Sequence, residues 1–319
     1  MTLDAPEVGT RIVVRHETGG VGPTGGPQMT DVVGHVLAVD DVSLTIEQRD
    51  GRPRVVDRAT VTTWKRVPDR PVRRRRAVAV DAEELTRITS RGWPAIESVP
   101  LGEWELRAAG RFTGRANSVA VTGSPGMPFD DALARVRDFY RERSAPALAQ
   151  VVVGSEHDRL LAAAGWAPMD GYHGGAVVQV ADLAPPGTYA HDADARVSPV
   201  ADDAWLSRYG RVSDPADARA VMEAPAHVGF VAIGAPGEAI GRVVVTGEWA
   251  GLSAVEVAPE ARRRGLARRI VETSLAWAVG HGADKAYLQT MRSNEAALAL
   301  YRPFGFVDHH DYVYREPSA

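Results

Sequence analysis

The sequence predicts a mixed α/β architecture, built as two consecutive α/β units behind a small all-β segment. Three observations predict it. Five short strand patterns crowd into the first 68 residues. One order of helices and strands recurs in residues 81–190 and 191–319. Finally, a strand runs through a basic, glycine-containing turn into a long amphipathic helix. A chain of 319 residues has room for two or three domains. Its composition, 45% hydrophobic and 24% charged, is that of an ordinary globular protein with a sizeable core.

The first segment, 1–68, is rich in Val, Thr, Gly and Asp. Residues 11–15, 32–39, 42–48, 54–58 and 61–67 read as strands, separated by the Gly/Pro stretch at 19–27, Asp40-Asp41 and Asp50-Gly51. Five strands in so short a span imply a small, strongly bent β-barrel. Residues 17–28 read as a mobile loop. Pro68, Pro71 and the arginines at 73–76 mark a linker over 69–80, because like charges repel and stay solvated.

From Asp81, a helix cap, the pattern becomes mixed. Strands are expected at 104–108, 118–122, 149–153 and 176–180. Helices are expected through 91, at 129–143, where Leu133, Val136 and Tyr140 keep helical spacing, and at 156–164 before Gly165. The second unit follows with helices at 202–209 and 215–223 and strands at 228–233, 239–246 and 252–257. A long helix at 265–280 leads to a strand at 286–290, a short helix at 295–301 and a last strand at 312–314. Both units end alike, with an apolar helix pair, a glycine stop and an aromatic strand start: Leu160-Leu161 to Gly165-Trp166, and Leu300-Tyr301 to Gly305-Phe306. This recurrence points to tandem duplication.

Composition removes several function classes. A net charge of −4 argues against a nucleic-acid-binding protein. The absence of cysteine excludes disulfide scaffolds, cysteine zinc sites and cysteine nucleophiles. With only Lys65 and Lys285 as lysines, a Schiff base is an unpromising mechanism. No apolar run is long enough for a transmembrane helix, and no signal peptide is recognisable at the start, so a cytoplasmic location is expected.

The stretch that carries chemistry runs from Val255 to Ala267. A strand ends at Val257, Pro259 stops it, and Arg262, Arg263, Arg264 and Gly265 open the long helix. The first amides of a helix lack intrahelical acceptors, and its dipole makes that end positive. Such a turn presents several N–H groups to an anion. Gly265 permits close approach, Ala267 leaves room, and arginines add phosphate donors. The physical reading is a pyrophosphate cradle.

Arg262-Arg263-Arg264-Gly265-Leu266-Ala267 resembles the acyl-CoA loop of the GCN5-related N-acetyltransferases (GNAT family), Arg/Gln-x-x-Gly-x-Gly/Ala, and Val257-Ala258-Pro259 precedes it as in that family. Leu288-Gln289-Thr290 with Asn294, Ala297, Leu300, Tyr301 and Phe304-Gly305-Phe306 resembles the second family signature. The likeness covers 191–319 well and 77–190 more weakly. In the first unit the corresponding loop, Gly123-Ser124-Pro125-Gly126-Met127-Pro128, has no arginine, and Asp130-Asp131 follows. The whole chain looks like a group of actinobacterial acetyltransferases with an SH3-like barrel at 1–68, a degenerate first GNAT unit at 81–190 that walls the acceptor cleft, and a catalytic unit at 191–319.

The resemblance implies a tandem GNAT fold with mixed twisted sheets and flanking helices. It implies direct transfer of an acetyl group from acetyl-CoA to a primary amine, small molecule or protein, with no metal and no membrane. Tyr301 matches the family's general acid. Val255, Glu256, Val257, Arg262, Arg263, Arg264, Gly265, Leu266, Ala267, Arg268, Asn294 and Tyr301 fall at cofactor-binding positions, with the amide near Val257 placed to polarise the thioester. Asn294 is equally a plain helix cap.

The base is open. A familiar glutamate position holds Gly251. Glu256 lies on the same strand, where alternation turns it to the other face unless a bulge re-aims it. Glu223 and a water chain are rivals. An acyl-CoA sensor without turnover and a tandem synthase of a small thiol, as in mycothiol assembly, remain alternatives, and oligomeric state is open. Asp308-His309-His310-Asp311 reads as exposed or cleft-lining polar residues rather than a metal cluster, Arg115-Ala116-Asn117-Ser118 as surface hydrogen-bonding groups, with substrate contact the lesser alternative, and Trp93, Trp104, Trp166 and Trp205 as core.

Overall fold

In a computed structural model, which describes residues 6–22, 25–48, 52–67, 75–169, 174–212 and 214–318, the chain divides into two units, Met1–Arg74 and Arg75–Ala319. Alternating valines and isoleucines build the first. Its strands are β1 (Arg11–Val21), β2 (Pro27–Val39), β3 (Ser43–Glu47), β4 (Pro53–Asp57) and β5 (Val61–Arg66). They form one antiparallel sheet in the order β4-β3-β2-β1-β5. Every second residue points inward, so Ile12, Val14, Val32, Val36, Leu44, Ile46 and Val56 meet in one apolar cluster.

Two expectations are corrected here. Among the described residues the outer strands β4 and β5 do not pair with each other, so the sheet is open where an SH3-like barrel was expected. The region expected as a loop, 17–28, is mostly a long hairpin arm, with Glu17 opposite Met29 and Val21 opposite Pro27 across an irregular register. A backbone ladder needs no apolar alternation, so glycine- and threonine-rich strand ends leave no side-chain pattern to read. Pro68, Pro71, Arg73 and Arg74 of the expected linker lie outside the described residues. Arg75 pairs with Glu84 at 2.8 Å and Arg76 with Asp182 at 3.1 Å.

The second unit opens with α1 (Ala82–Gly92), capped by Asp81, which accepts from the amides of Glu83 and Glu84. It continues with β6 (Glu97–Leu101), β7 (Trp104–Ala108), β8 (Val119–Ala120), α2 (Phe129–Glu142), β9 (Ala149–Val152), α3 (Glu156–Ala163), β10 (Trp166–Pro168) and β11 (Gly175–Asp182). The C-terminal half contributes β12 (Arg196–Ser198), α4 (Asp203–Tyr209), α5 (Pro215–Met222), β13 (Val228–Ile233), β14 (Ala239–Thr246) and β15 (Trp249–Val257). It ends with α6 (Leu266–Gly280), β16 (Lys285–Thr290), α7 (Glu295–Tyr301) and β17 (Val307–Pro317).

One sheet runs through both halves, in the order β12-β13-β14-β15-β16-β11-β17-β9-β8-β7-β6, with β10 on β17. Each half holds one parallel pair, β8 with β9 and β15 with β16, and each pair is bridged by a helix, α2 or α6. The last strands are exchanged: β11 of the first half pairs with β16, and β17 of the second pairs with β9. The final strand is therefore much longer than the expected 312–314, because it is paired along both edges. The edge strand β6 contains Pro100 and escaped the sequence reading, since proline is tolerated only at such edges.

Two apolar layers hold the halves. Leu133, Val136 and Tyr140 of α2 pack on Trp104, Val119 and Val151. Ile270, Val271, Leu275 and Ala278 of α6 pack on Val231, Val243, Ala250 and Leu288. Trp93, Trp104, Trp166 and Trp205 are all buried, as expected of core residues.

Candidate active site

β15 and β16 pair in parallel from Trp249 opposite Lys285 to Leu252 opposite Leu288; there the pairing stops, although both strands continue. The cause lies on the other edge of β15. Between Arg242–Ser253 and Ile240–Glu256, two residues, Ala254 and Val255, face the single Gly241 of β14. Ala254 takes a left-handed φ of +54°. Such a bulge bends a strand and raises its twist, which swings the end of β15 away from β16.

The gap opens into a cavity of about 580 Å³. Val255, Glu256, Val257, Arg262, Ala267, Asn294 and Tyr301 line it. The bulge resets the alternation, so Glu256 faces this cavity instead of the opposite side of the sheet. Its carboxylate accepts from Arg211 at 2.9 Å. Gly251 could not have been a carboxylate in this molecule: a Cβ there would stand 2.4 Å from the Tyr287 hydroxyl. Glu223 accepts from the Ala201 amide at 3.0 Å and does not line the cavity.

Tyr301 comes from the last turn of α7 and is 6% exposed. Burial raises its phenol well above the ordinary range, and the charge of Glu256 adds to the shift. The phenol is therefore held protonated. Asn294 caps α7, accepting from the Ala297 amide at 3.1 Å, and also lines the cavity, so both of its readings hold geometrically.

The turn before α6 has the backbone of an anion cradle. Arg263 and Gly265 have φ of +64° and +77°. Among the described residues no amide from 263 to 268 finds an acceptor; the first to do so is Arg269, 3.1 Å from the Gly265 carbonyl. Nothing lies within 4 Å of where a Gly265 Cβ would stand.

The side chains divide. Arg262 and Ala267 line the cavity. Arg264 is drawn to Glu238 at 2.6 Å, Arg268 to Glu272 at 3.0 Å, and Leu266 is buried in the core. The donors this turn offers are thus mainly main-chain groups, with Arg262 the one arginine of the turn on the cavity wall.

In the first half the corresponding loop is already occupied by the protein itself. The amides of Gly123 and Ser124 donate to the carboxylates of Glu83 and Glu103, each at 2.7 Å, and the Gly126 amide donates to the Ser124 hydroxyl.

Sequence reading missed Arg211, Tyr209 and Ser253 and undervalued Arg115; with Gln289 of the second signature, all line the cavity. They come from separate segments and have no common spacing. The Asp308–Asp311 run is an ion-pair site: Arg292 bridges Asp308 at 2.9 Å and Asp311 at 2.7 Å, and His309 contacts the Val80 carbonyl. Among the described residues no group of His, Asp and Glu side chains could hold a metal ion. No helix there is long and apolar enough to cross a membrane.

Comparison with known proteins decides the family. Residues 79–315 match the family described as "Probable histone acetyltransferase Rv0428c C-terminal". The chain belongs to this family. It is an N-acetyltransferase of the GNAT type, and the matched residues of this acetyltransferase fall within its second unit. An uncharacterized N-acetyltransferase, YobR of Bacillus subtilis, is 26% identical over 249 residues, 74% of this chain and 98% of the relative. A GCN5-related N-acetyltransferase from Kribbella flavida shares the fold with a TM-score of 0.54 at 18% identity, covering 75% of this acetyltransferase and 96% of the relative. A putative GNAT-family acetyltransferase from Novosphingobium aromaticivorans aligns with a TM-score of 0.49 at 17% identity, over 75% of this chain and 100% of its own.

Proposed function

We propose that this acetyltransferase moves an acetyl group from acetyl-CoA directly to a primary amine, using the C-terminal half, 191–319, as its catalytic unit. The observation that carries the reading is the run of unpaired amides over 263–268 at the mouth of a cavity that also holds Glu256 and Tyr301. The amides, with Arg262, would hold the diphosphate of coenzyme A by hydrogen bonds and the positive end of the helix dipole. Ala267 and the open space at Gly265 leave room for that approach. When bound, acetyl-CoA supplies an activated acetyl thioester.

The chain's own residues supply the rest. Glu256 takes a proton from the amine, directly or through water, as the new carbon–nitrogen bond forms. The main-chain amide near Val257 donates to the carbonyl oxygen, where negative charge grows. Tyr301, kept protonated by burial, gives its proton to the sulfur as the carbon–sulfur bond breaks. The products are an N-acetyl amine and free coenzyme A.

The first half, 81–190, we read as a degenerate copy of the same unit. Its Gly123 and Ser124 amides are bound by Glu83 and Glu103, which removes those two donors and adds repulsion for a phosphate. Calorimetric titration with coenzyme A tests the placement. Binding is expected in the unaltered chain and no heat in Gly265→Glu, whose carboxylate would stand in the cradle. Normal affinity in that variant would refute the site.

A further inference from the structure

We propose that the acetyl acceptor is an amine bearing a carboxylate, gripped by arginines in a second cavity that adjoins the splay on its first-half side. The proposal rests on the reading above and specifies the acceptor of the same site. The cavity has a volume of about 840 Å³ and shares Arg115, Tyr209 and Arg211 with the first. Arg111, Arg115 and Arg211 line it, none of its described lining residues is acidic, and Pro146, Leu148 and Met169 give it an apolar wall.

Arg211 is paired with Glu256 at 2.9 Å, and the other two arginines are not neutralised in this way. Among the described residues neither Arg111 nor Arg115 has a carboxylate partner. Arg115 donates to the neutral Gln289 amide oxygen at 2.9 Å and stacks over Trp93, 4.2 Å from the ring centre. Behind the same ring, 4.9 Å from its centre, lies the fully buried Arg242. Its only acceptors among the described residues are the carbonyls of Met222 and Gly92, and burial pulls its pKa down to about 10. Ser253 lines the first cavity, and its hydroxyl is buried without a partner among the described residues.

The half-buried Arg115, backed by the buried Arg242 and without a carboxylate partner among the described residues, favours an anion, and a guanidinium fork fits a carboxylate with two parallel hydrogen bonds. Glu256, in the adjoining cavity, supplies the opposite charge for the amine end. One molecule with an amine, a carboxylate and an apolar body satisfies all three features. A lysine-rich histone tail, the acceptor class in the family's description, would instead bring like charge to Arg111 and Arg115.

Calorimetry of the full chain with N-acetyl-L-phenylalanine and with its amide tests this without turnover. The acid is expected to bind at least about tenfold more tightly than the amide. Arg115→Met should bring that ratio close to one, and Arg115→Lys, which keeps the charge and loses the fork, should give an intermediate value. Coenzyme A binding, titrated on the same samples, should persist, which reports that the fold and the turn at 263–268 are intact.

Equal affinity for acid and amide, binding of neither, tighter binding of a histone-tail peptide, or a ratio unaltered by the substitutions overturns the proposal. If Arg115→Met does not fold, the Arg115→Lys ratio decides. Loss of coenzyme A binding with the acid preference intact would overturn the proposed activity instead.

Discussion

Tyr301 shows how one environment suits a side chain to the proton-donor role proposed for it. Its ring packs edge-on against Phe306, 5.5 Å between centres, and its hydroxyl has no acceptor among the described residues. Burial and the nearby Glu256 both oppose ionisation. A phenol in that state is a proton donor over the whole neutral range, which suits a group facing a departing thiolate. Removing only the hydroxyl should isolate that role. Tyr301→Phe is expected to lower kcat on the order of 10²-fold while the Kd for coenzyme A stays constant. An unchanged kcat would show that the thiolate leaves unaided.

At the level of single elements, the bulge in β15 does most to make the site. Without the extra residue, β15 would stay paired with β16 past Leu252, the cavity would close, and Glu256 would turn away. Ala254 holds φ +54°, a strained conformation even for alanine and more so for a β-branched residue. Ala254→Val is therefore expected to cost about 1–3 kcal/mol in urea unfolding. It should also lose activity beyond what the stability loss explains, because Glu256 would be re-aimed. Full activity together with the expected destabilisation would separate the bulge from the chemistry.

The second unit as a whole is one sheet because its halves trade their last strands. His310 lies on the exchanged strand β17, opposite Val178 of β11. Burial, then the neighbouring His309, lower its pKa from the ordinary 6.5 to about 4, against the opposing pull of Asp311 and Asp81. Between those two values the unfolded chain binds a proton that the folded chain refuses. Stability should therefore fall as pH drops from 6.5 towards 4, by roughly 2–3 kcal/mol at most. Scanning calorimetry should show a smaller acid loss of Tm in His310→Gln than in the unaltered protein; parallel curves would assign the acid sensitivity to other groups. The same exchange puts Arg115, from the first half, against Gln289, from the second, so the cavity wall exists only in the paired unit.

Sequence alone determined what local spacing can encode. The helical periodicity of α2 and α6, most of the elements in both halves and the glycine turn that opens α6 were readable, because each depends on neighbours a few residues away. The openness of the first sheet and the length of β17 were not, since strand pairing joins distant segments through backbone groups that every residue carries. Only the tertiary structure decided which face Glu256 presents, which arginines of the turn are taken by Glu238 and Glu272, and that Arg115, Arg211 and Ser253 share one cavity. A bulge, a long-range ion pair and a shared cavity wall are each set by packing between segments far apart in the chain, and no spacing within one segment records them.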